Sequence, residues 1–96
     1  MSILDRINKN LSSNLSIFKL EVEDESHKHQ GHAGYIDGGE THFKITIVSD
    51  DFKGKSKVAR HKLIYSILKQ ELEDRIHALS LNTLTKEEYN NKNNYN

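Results

Sequence analysis

Apolar residues recur at helical spacing in two stretches of the chain. The first stretch predicts an amphipathic helix over residues 2–13, with Ser2 as its N-cap. Its apolar positions are Ile3, Leu4, Ile7 and Leu11. The second stretch predicts a longer helix that Ser56 caps and that runs to about Glu73. Its apolar stripe consists of Ala59, Leu63, Ile67, Ile64, Leu68 and Leu72. Each helix therefore has one apolar face that the rest of the protein must cover.

Alternation of apolar and polar residues replaces this spacing elsewhere and predicts strands over residues 15–24 and 40–49. In the second of these strands, two sets of residues are expected on opposite faces, Phe43, Ile45 and Ile47 on one and His42, Lys44 and Thr46 on the other, which faces water. A third strand is predicted over residues 76–81, and it begins beside His77. The first two strands are expected to pair antiparallel, and the third to return parallel to a neighbour after the long helix.

The predicted fold class is therefore α/β in the broad sense, more strictly α+β, with the order α-β-β-α-β. Helices are expected to cover one face of a three-stranded mixed sheet and to leave the other face open to water. A last helical turn is predicted over residues 84–89. The asparagine-rich residues 90–96 are expected to be disordered, because they are polar and of low complexity. One domain over residues 1–89 follows from this pattern.

Composition restricts the chemistry. The chain of 96 residues has no cysteine, so disulfides and sites built on its own thiolates are excluded, whereas six histidines offer imidazole. Lysine and arginine together number 14 and so do the acids, so nucleic-acid binding would need a local basic patch. No apolar run has the length of a signal peptide or a membrane span, which predicts a cytoplasmic protein without membrane contact.

The histidines of greatest interest are His77 and three that lie in a glycine-rich loop over residues 25–39, namely His27, His29 and His32. A loop of this length is usually functional or mobile. Together the loop and strand histidines have the side chains for a transition-metal site. Their ordinary interpretation is a solvated loop and a histidine hydrogen-bonded at the edge of the core.

A basic cluster surrounds the start of the long helix and consists of Lys53, Lys55, Lys57, Arg60 and Lys62. A helix N-terminus favours anions, so phosphate or an acidic partner is one interpretation and a solvated helix start is the other. The sequence Gly54-Lys55-Ser56 does not continue a P-loop, because Ser49 stands where that motif needs glycine. Nothing positions a nucleophile, so an enzyme is not expected.

Three blocks of the chain resemble proteins of the BolA family. They are LEVEDESHKH at residues 20–29, THFKITIVS at residues 41–49 with 52–56 and 60–62, and IHALSL at residues 76–81 with 83–85. The resemblance implies a fold similar to class II KH domains. It also implies partnership with a monothiol glutaredoxin and a shared [2Fe–2S] cluster, which the glutaredoxin cysteine and glutathione ligate on one side.

On the BolA side the ligands implied by the resemblance are histidines. His77 matches the C-terminal histidine of the family, and His32 is the expected second ligand, with His27 and His29 as alternatives. The expected function is accessory, in iron–sulfur trafficking or iron and redox regulation, and the chain alone is expected to be a monomer or weak homodimer. The family has also been described as DNA-binding transcriptional regulators, so DNA contact through the basic cluster is the alternative.

Overall fold

The described part of the chain forms an α+β domain with four α-helices and three strands. The computed structural model describes residues 2–26, residue 39 and residues 41–94. Its elements are α1 (Ile3–Asn14), β1 (Lys19–Asp24), β2 (His42–Val48), α2 (Lys57–Ile67), α3 (Lys69–Asp74), β3 (Ala78–Leu84) and α4 (Lys86–Asn94). A short 3₁₀ turn over Asp50–Phe52 connects β2 to the segment before α2.

The sheet has the strand order β1-β2-β3. β1 pairs antiparallel with β2, and β2 pairs parallel with β3. Leu20 lies opposite Ile47, and Ile45 lies opposite Leu81, so these apolar residues of the three strands share one face. The predicted mixed sheet and the order of its elements are confirmed.

Both predicted helix caps are present. Ser2 Oγ accepts the backbone N–H of Asp5, and Ser56 Oγ accepts that of Ala59. The single long helix predicted from Ser56 to Glu73 is wrong in one respect, because Leu68 departs from helical geometry with φ −98° and ψ 19° and divides it into α2 and α3. The apolar spacing continues across Leu68, so the sequence pattern could not predict the break between the two helices.

The core lies between one face of the sheet and helices α1 to α3. Its buried members are Ile3, Ile7, Leu11, Leu15, Phe43, Ile45, Ile47, Phe52, Ile64, Leu68 and Ile76. Glu71 is buried in the same region, where its carboxylate accepts Arg6 Nη2 at 3.0 Å and Asn10 Nδ2 at 2.6 Å. These charge-assisted bonds connect α1 to α3 and compensate the burial of the carboxylate.

The C-terminal segment is more ordered than the sequence predicted. α4 continues to Asn94, so residues 90–94 are helical where a disordered tail was expected. Tyr89 on this helix packs edge-on against Phe18 and accepts a hydrogen bond from Lys19 Nζ at 2.9 Å. Val48, which lies opposite Lys19, is fully buried, so the second face of the sheet is not open over its whole length. None of the helices in the described part of the chain is long and apolar enough to span a bilayer.

Candidate functional site

Two histidines meet at the end of the sheet where β2 and β3 begin. His42 starts β2 and pairs with Ala78, the first residue of β3, so His77 stands immediately beside this pair. The rings of His42 and His77 are stacked, with their centroids 6.4 Å apart and their planes inclined by 24°. His77 is exposed to solvent, whereas His42 is only 9% exposed. The imidazole of His77 is therefore accessible to a partner, and the buried ring of His42 lies beside it.

Thr41 holds both histidines. Its carbonyl oxygen accepts the backbone N–H of His77 at 2.7 Å and that of Ala78 at 3.2 Å. Its hydroxyl Oγ1 is hydrogen-bonded to His42 Nδ1 at 2.8 Å. Because Thr41 is fully buried, these bonds are shielded from water and fix the backbone of one histidine and the ring of the other.

A second layer of hydrogen bonds positions Thr41. Ser26 Oγ donates to Asp24 Oδ1 at 2.6 Å and accepts the backbone N–H of Thr41 at 2.8 Å and that of His42 at 3.2 Å. Ser26 is 2% exposed, so this hydroxyl lies inside the protein. The result is a connected polar network from Asp24 through Ser26 and Thr41 to the two histidines.

The network contradicts the prediction that His42 lies on a water-exposed face. Alternation along β2 holds for Lys44, which is exposed, but His42 is the first residue of the strand. There its ring is enclosed by His77 and Thr41, which belong to neighbouring segments of the chain. Period-two alternation describes the faces of a sheet and carries no information about what covers its ends.

His77 stands just outside a strand, rather than within it as predicted, because β3 begins at Ala78. The loop candidates His27, His29 and His32 lie outside the described residues, so their approach to His77 stays a prediction. The residues that flank this segment do reach the same end of the sheet. Ser26 bonds to Thr41, and the carbonyl of Gly39 accepts Arg75 Nε at 2.9 Å.

Gly39 meets a conformational requirement at this point. Its φ is +75°, and a Cβ atom there would lie 3.2 Å from Asp24 Oδ2. A residue with a side chain would therefore be strained in its backbone and crowded against the carboxylate that orders Ser26.

The described residues offer imidazole to a metal but do not complete a site. Within the described ranges, no group of three or more histidine, cysteine, aspartate or glutamate side chains is placed to hold a metal ion. An exposed imidazole with a fixed backbone fits one ligand position of a metal centre whose remaining ligands lie outside the described residues, and any thiolate ligand must come from a partner because the chain has no cysteine.

The basic cluster lies at the other end of the sheet. α2 begins beside the end of β3, because Arg60 Nη1 donates to the carbonyl of Thr83 at 3.0 Å. His77 precedes the start of the same strand, so the seven residues of β3, roughly 20 Å of extended chain, separate the two regions. The exposed histidine and the basic cluster therefore lie at opposite ends of the sheet.

Within the cluster the structure distinguishes Arg60 from the lysines. Lys53, Lys55, Lys57 and Lys62 are exposed, whereas Arg60 is 7% exposed and bonds to Lys55 O, Thr83 O and Glu88. These bonds attach α4 to α2 and β3 through Arg60, and its contact with nucleic acid or a partner stays a prediction. This ion pair, together with the backbone N–H of Thr85, lowers the pKa of Glu88 below its usual value.

Two exposed apolar residues accompany these lysines and were not among the sequence candidates. Val58 is 64% exposed and Tyr65 is 41% exposed, seven positions apart on α2. Their spacing puts them on one outer stripe of the helix, together with Lys62. The helical pattern of the sequence contained this signal, since both residues fall outside the two rows of the apolar stripe.

These features of the described residues define a class of protein. It is a small mixed α+β domain in which helices α1 to α3 cover one face of a three-stranded sheet, with an exposed histidine at one sheet end and lysines at the other. A family model described as BolA-like protein matches residues 11–88. The chain therefore belongs to the BolA-like protein family, and the resemblance seen in the three sequence blocks is confirmed.

Known proteins agree with this assignment. The solved BolA domain of SufE1 from Arabidopsis thaliana superposes with a TM-score of 0.83 at 48% identity, covering 92% of this chain and 96% of that one. SufE-like protein 1 of the same plant is 51% identical over 79% of this chain, which spans only 22% of that longer protein. The DNA-binding transcriptional regulator BolA of Escherichia coli strain K12 is 43% identical over 93% of this chain and 81% of its own length.

Proposed function

We propose that this protein is an accessory partner of a monothiol glutaredoxin and shares a [2Fe–2S] cluster with it, in iron–sulfur trafficking or in iron and redox regulation. His77 provides one ligand, and a loop histidine, His32 before His27 or His29, provides the other. The glutaredoxin cysteine and glutathione supply the thiolates. In this role the protein binds and presents a cluster and catalyses no reaction of its own.

The observation that carries the proposal is the exposed imidazole of His77 on a fixed backbone. The Thr41 carbonyl holds its N–H at 2.7 Å, so the ligand position is set before a partner arrives. The flanking residues Ser26 and Gly39 bring the two ends of the histidine-bearing segment to the same sheet end. When histidine replaces thiolate on one iron, the reduction potential of such a cluster rises, which is the chemistry the shared centre would supply.

Titration of a [2Fe–2S]-loaded monothiol glutaredoxin with this protein under anaerobic conditions tests the proposal. Visible circular dichroism and EPR of the reduced sample should show a new mixed-ligand spectrum that saturates at one equivalent. His77→Ala should abolish that spectrum. His61→Ala is the matched control, because His61 lies within α2 and should leave the spectrum unchanged. A spectrum that is the same with and without His77 would contradict the ligand assignment.

A second candidate function, DNA binding, rests on the distribution of charge around α2. Between Phe52 and Gln70 the chain has five lysines and no acidic residue, although the whole chain is neutral. Four of these lysines, Lys53, Lys55, Lys57 and Lys62, are the exposed members of the basic cluster. Such a local patch is the arrangement that phosphate contacts require in a neutral protein.

Salt dependence tests this second candidate. If the lysines contact phosphates, the affinity for duplex DNA should fall steeply between low and physiological salt, and Lys57→Ala should reduce the slope by about one phosphate contact. Lys44→Ala is the control, because Lys44 is exposed on β2, outside the patch. Absence of binding at low salt, or binding that salt does not weaken, would exclude DNA as a partner of this surface.

A further inference from the structure

We infer that His42 is a positioning residue for His77, and that the buried Thr41 positions both histidines through its hydrogen bonds. The inference rests on the proposed role of His77 as a cluster ligand and deepens it. It assigns a task to a buried histidine and a buried threonine that the ligand set does not include. Neither residue is itself a ligand of the cluster.

The first reason is the stacked pair itself. The centroid distance of 6.4 Å and the plane angle of 24° place the His42 ring against the ring of His77. An exposed side chain ordinarily samples several rotamers, but a ring in contact with a fixed aromatic neighbour loses part of that freedom. His42 is suited to be that neighbour, because it is buried and the exposed ring of His77 lies on its outer side.

The second reason is that His42 is itself fixed by hydrogen bonds to both its backbone and its ring. Its N–H donates to Ser26 Oγ, its carbonyl oxygen accepts the N–H of Glu25 at 2.7 Å, and its Nδ1 is bonded to Thr41 Oγ1. A ring held in this way has a defined plane. The plane of His77 is then defined by contact with it, as outer-sphere partners define the orientation of metal-ligating histidines.

The third reason is that Thr41 couples the two histidines through different atoms. Its carbonyl oxygen fixes where the backbone of His77 begins, and its hydroxyl fixes where the ring of His42 lies. Thr41 thus fixes the backbone position of His77 directly and the orientation of its imidazole through the ring of His42. Serine in this position would keep every one of these bonds, whereas valine would keep the shape and lose the hydroxyl.

Two variants separate the contributions of ring and hydrogen bond at His42. His42→Asn retains a polar atom near the position of Nδ1 but removes the ring, and His42→Phe retains a ring but removes the bond to Thr41. If stacking positions His77, the asparagine variant should show the larger effect. Thr41→Val should resemble the phenylalanine variant, and Thr41→Ser should restore wild-type behaviour.

The first readout uses the full chain without cluster or partner. Three-bond couplings around χ1 of His77, measured by NMR, should report one dominant rotamer in the wild type and Thr41→Ser proteins. They should report averaged rotamers in His42→Asn. The fold of each variant is checked by amide chemical shifts remote from the sheet end, such as those of α4. Unchanged His77 couplings in a folded His42→Asn protein would overturn the inference.

The second readout uses the complex with the cluster-bearing glutaredoxin. His42→Asn should weaken formation of the mixed-ligand complex by about 2- to 10-fold, the range expected for loss of an aromatic contact. Its pulsed-EPR nitrogen coupling should broaden, since the ligand ring would adopt several orientations. A coupling as narrow as in the wild type would also overturn the inference. If the wild type forms no complex, the proposed function fails, and the rotamer measurement still decides the role of His42.

Discussion

The two ends of the sheet are built in opposite ways. At the histidine end, buried hydroxyl and carbonyl groups of Ser26 and Thr41 fix the histidines before any partner binds. At the lysine end, exposed lysines lie around the buried Arg60, which bonds to the carbonyls of Lys55 and Thr83 and to Glu88. The first arrangement suits a directional metal–ligand bond, which tolerates little error in angle. The second suits long-range electrostatic attraction to an extended anionic surface, which does not depend on the exact angle of each contact.

The largest effect should follow removal of the buried cation at the lysine end. Arg60→Ala deletes bonds to two backbone carbonyls and to Glu88, and hydrogen bonds of charged groups contribute about 1.5–3 kcal/mol each. Partial exposure of Glu88 reduces its share, so we expect a loss of about 2–3 kcal/mol in the free energy of unfolding. Urea denaturation measures this loss, with Lys62→Ala as the exposed control on the same helix.

A loss of less than about 0.5 kcal/mol in Arg60→Ala, the range of ordinary surface substitutions, would contradict the structural role of Arg60. It would also favour a role for this arginine in contacting a partner. The comparison between the two ends would then lose its main support, because the lysine end would contain no inward-directed cation.

Ser26→Ala should have the next largest effect and should act at the histidine end. The substitution leaves the buried N–H groups of Thr41 and His42 without their shared acceptor. An unsatisfied buried donor costs about 1–3 kcal/mol, and we expect a loss in the middle of that range. Ser80→Ala, at an exposed position of β3, is the control for the urea titration. Equal stability of the two variants would show that the network does not order this end.

The sequence predicted more of the fold than of the site, for a physical reason. Helix spacing, strand alternation and the serine caps are local signals, and they identified the order of elements and the caps Ser2 and Ser56. The burial of His42 and Arg60 comes from partners far along the chain, Arg60 meeting Thr83 and Glu88. From sequence alone a charged or imidazole side chain is predicted to be exposed, because such residues are buried only where they have partners.

Thr41 illustrates the same limit at the candidate site. A threonine before a strand fits many roles, and nothing in its sequence neighbourhood indicates that its carbonyl binds the backbone of His77, 36 positions later. The parallel register of β2 and β3 creates this contact. His77 itself was predicted from the family resemblance, and the structure adds its exposure and its anchor.

Acid should weaken the attachment of α4 to the rest of the domain. The pKa of Glu88 is lowered, with the Arg60 hydrogen bond as the largest cause. A carboxylate with a lowered pKa in the folded state contributes stability that is complete above its unfolded pKa, about 4.5, and is lost as pH falls through the folded value. The stability of Glu88→Gln should therefore fall less than that of the wild type as the pH is lowered below about 4.5. Parallel acid profiles in thermal unfolding would contradict the assignment.

The smallest change in stability is expected for substitution of the exposed lysines. These substitutions also test most directly whether the two ends of the sheet act separately. Lys55→Ala and Lys57→Ala should each alter the free energy of unfolding by no more than about 0.5 kcal/mol, because these side chains are exposed. Neither should affect the mixed-ligand spectrum with the glutaredoxin, because β3 separates them from His77. If either variant weakens that complex as strongly as His42→Asn, the partner covers both ends of the sheet, and the lysines belong to its docking surface rather than to a separate one.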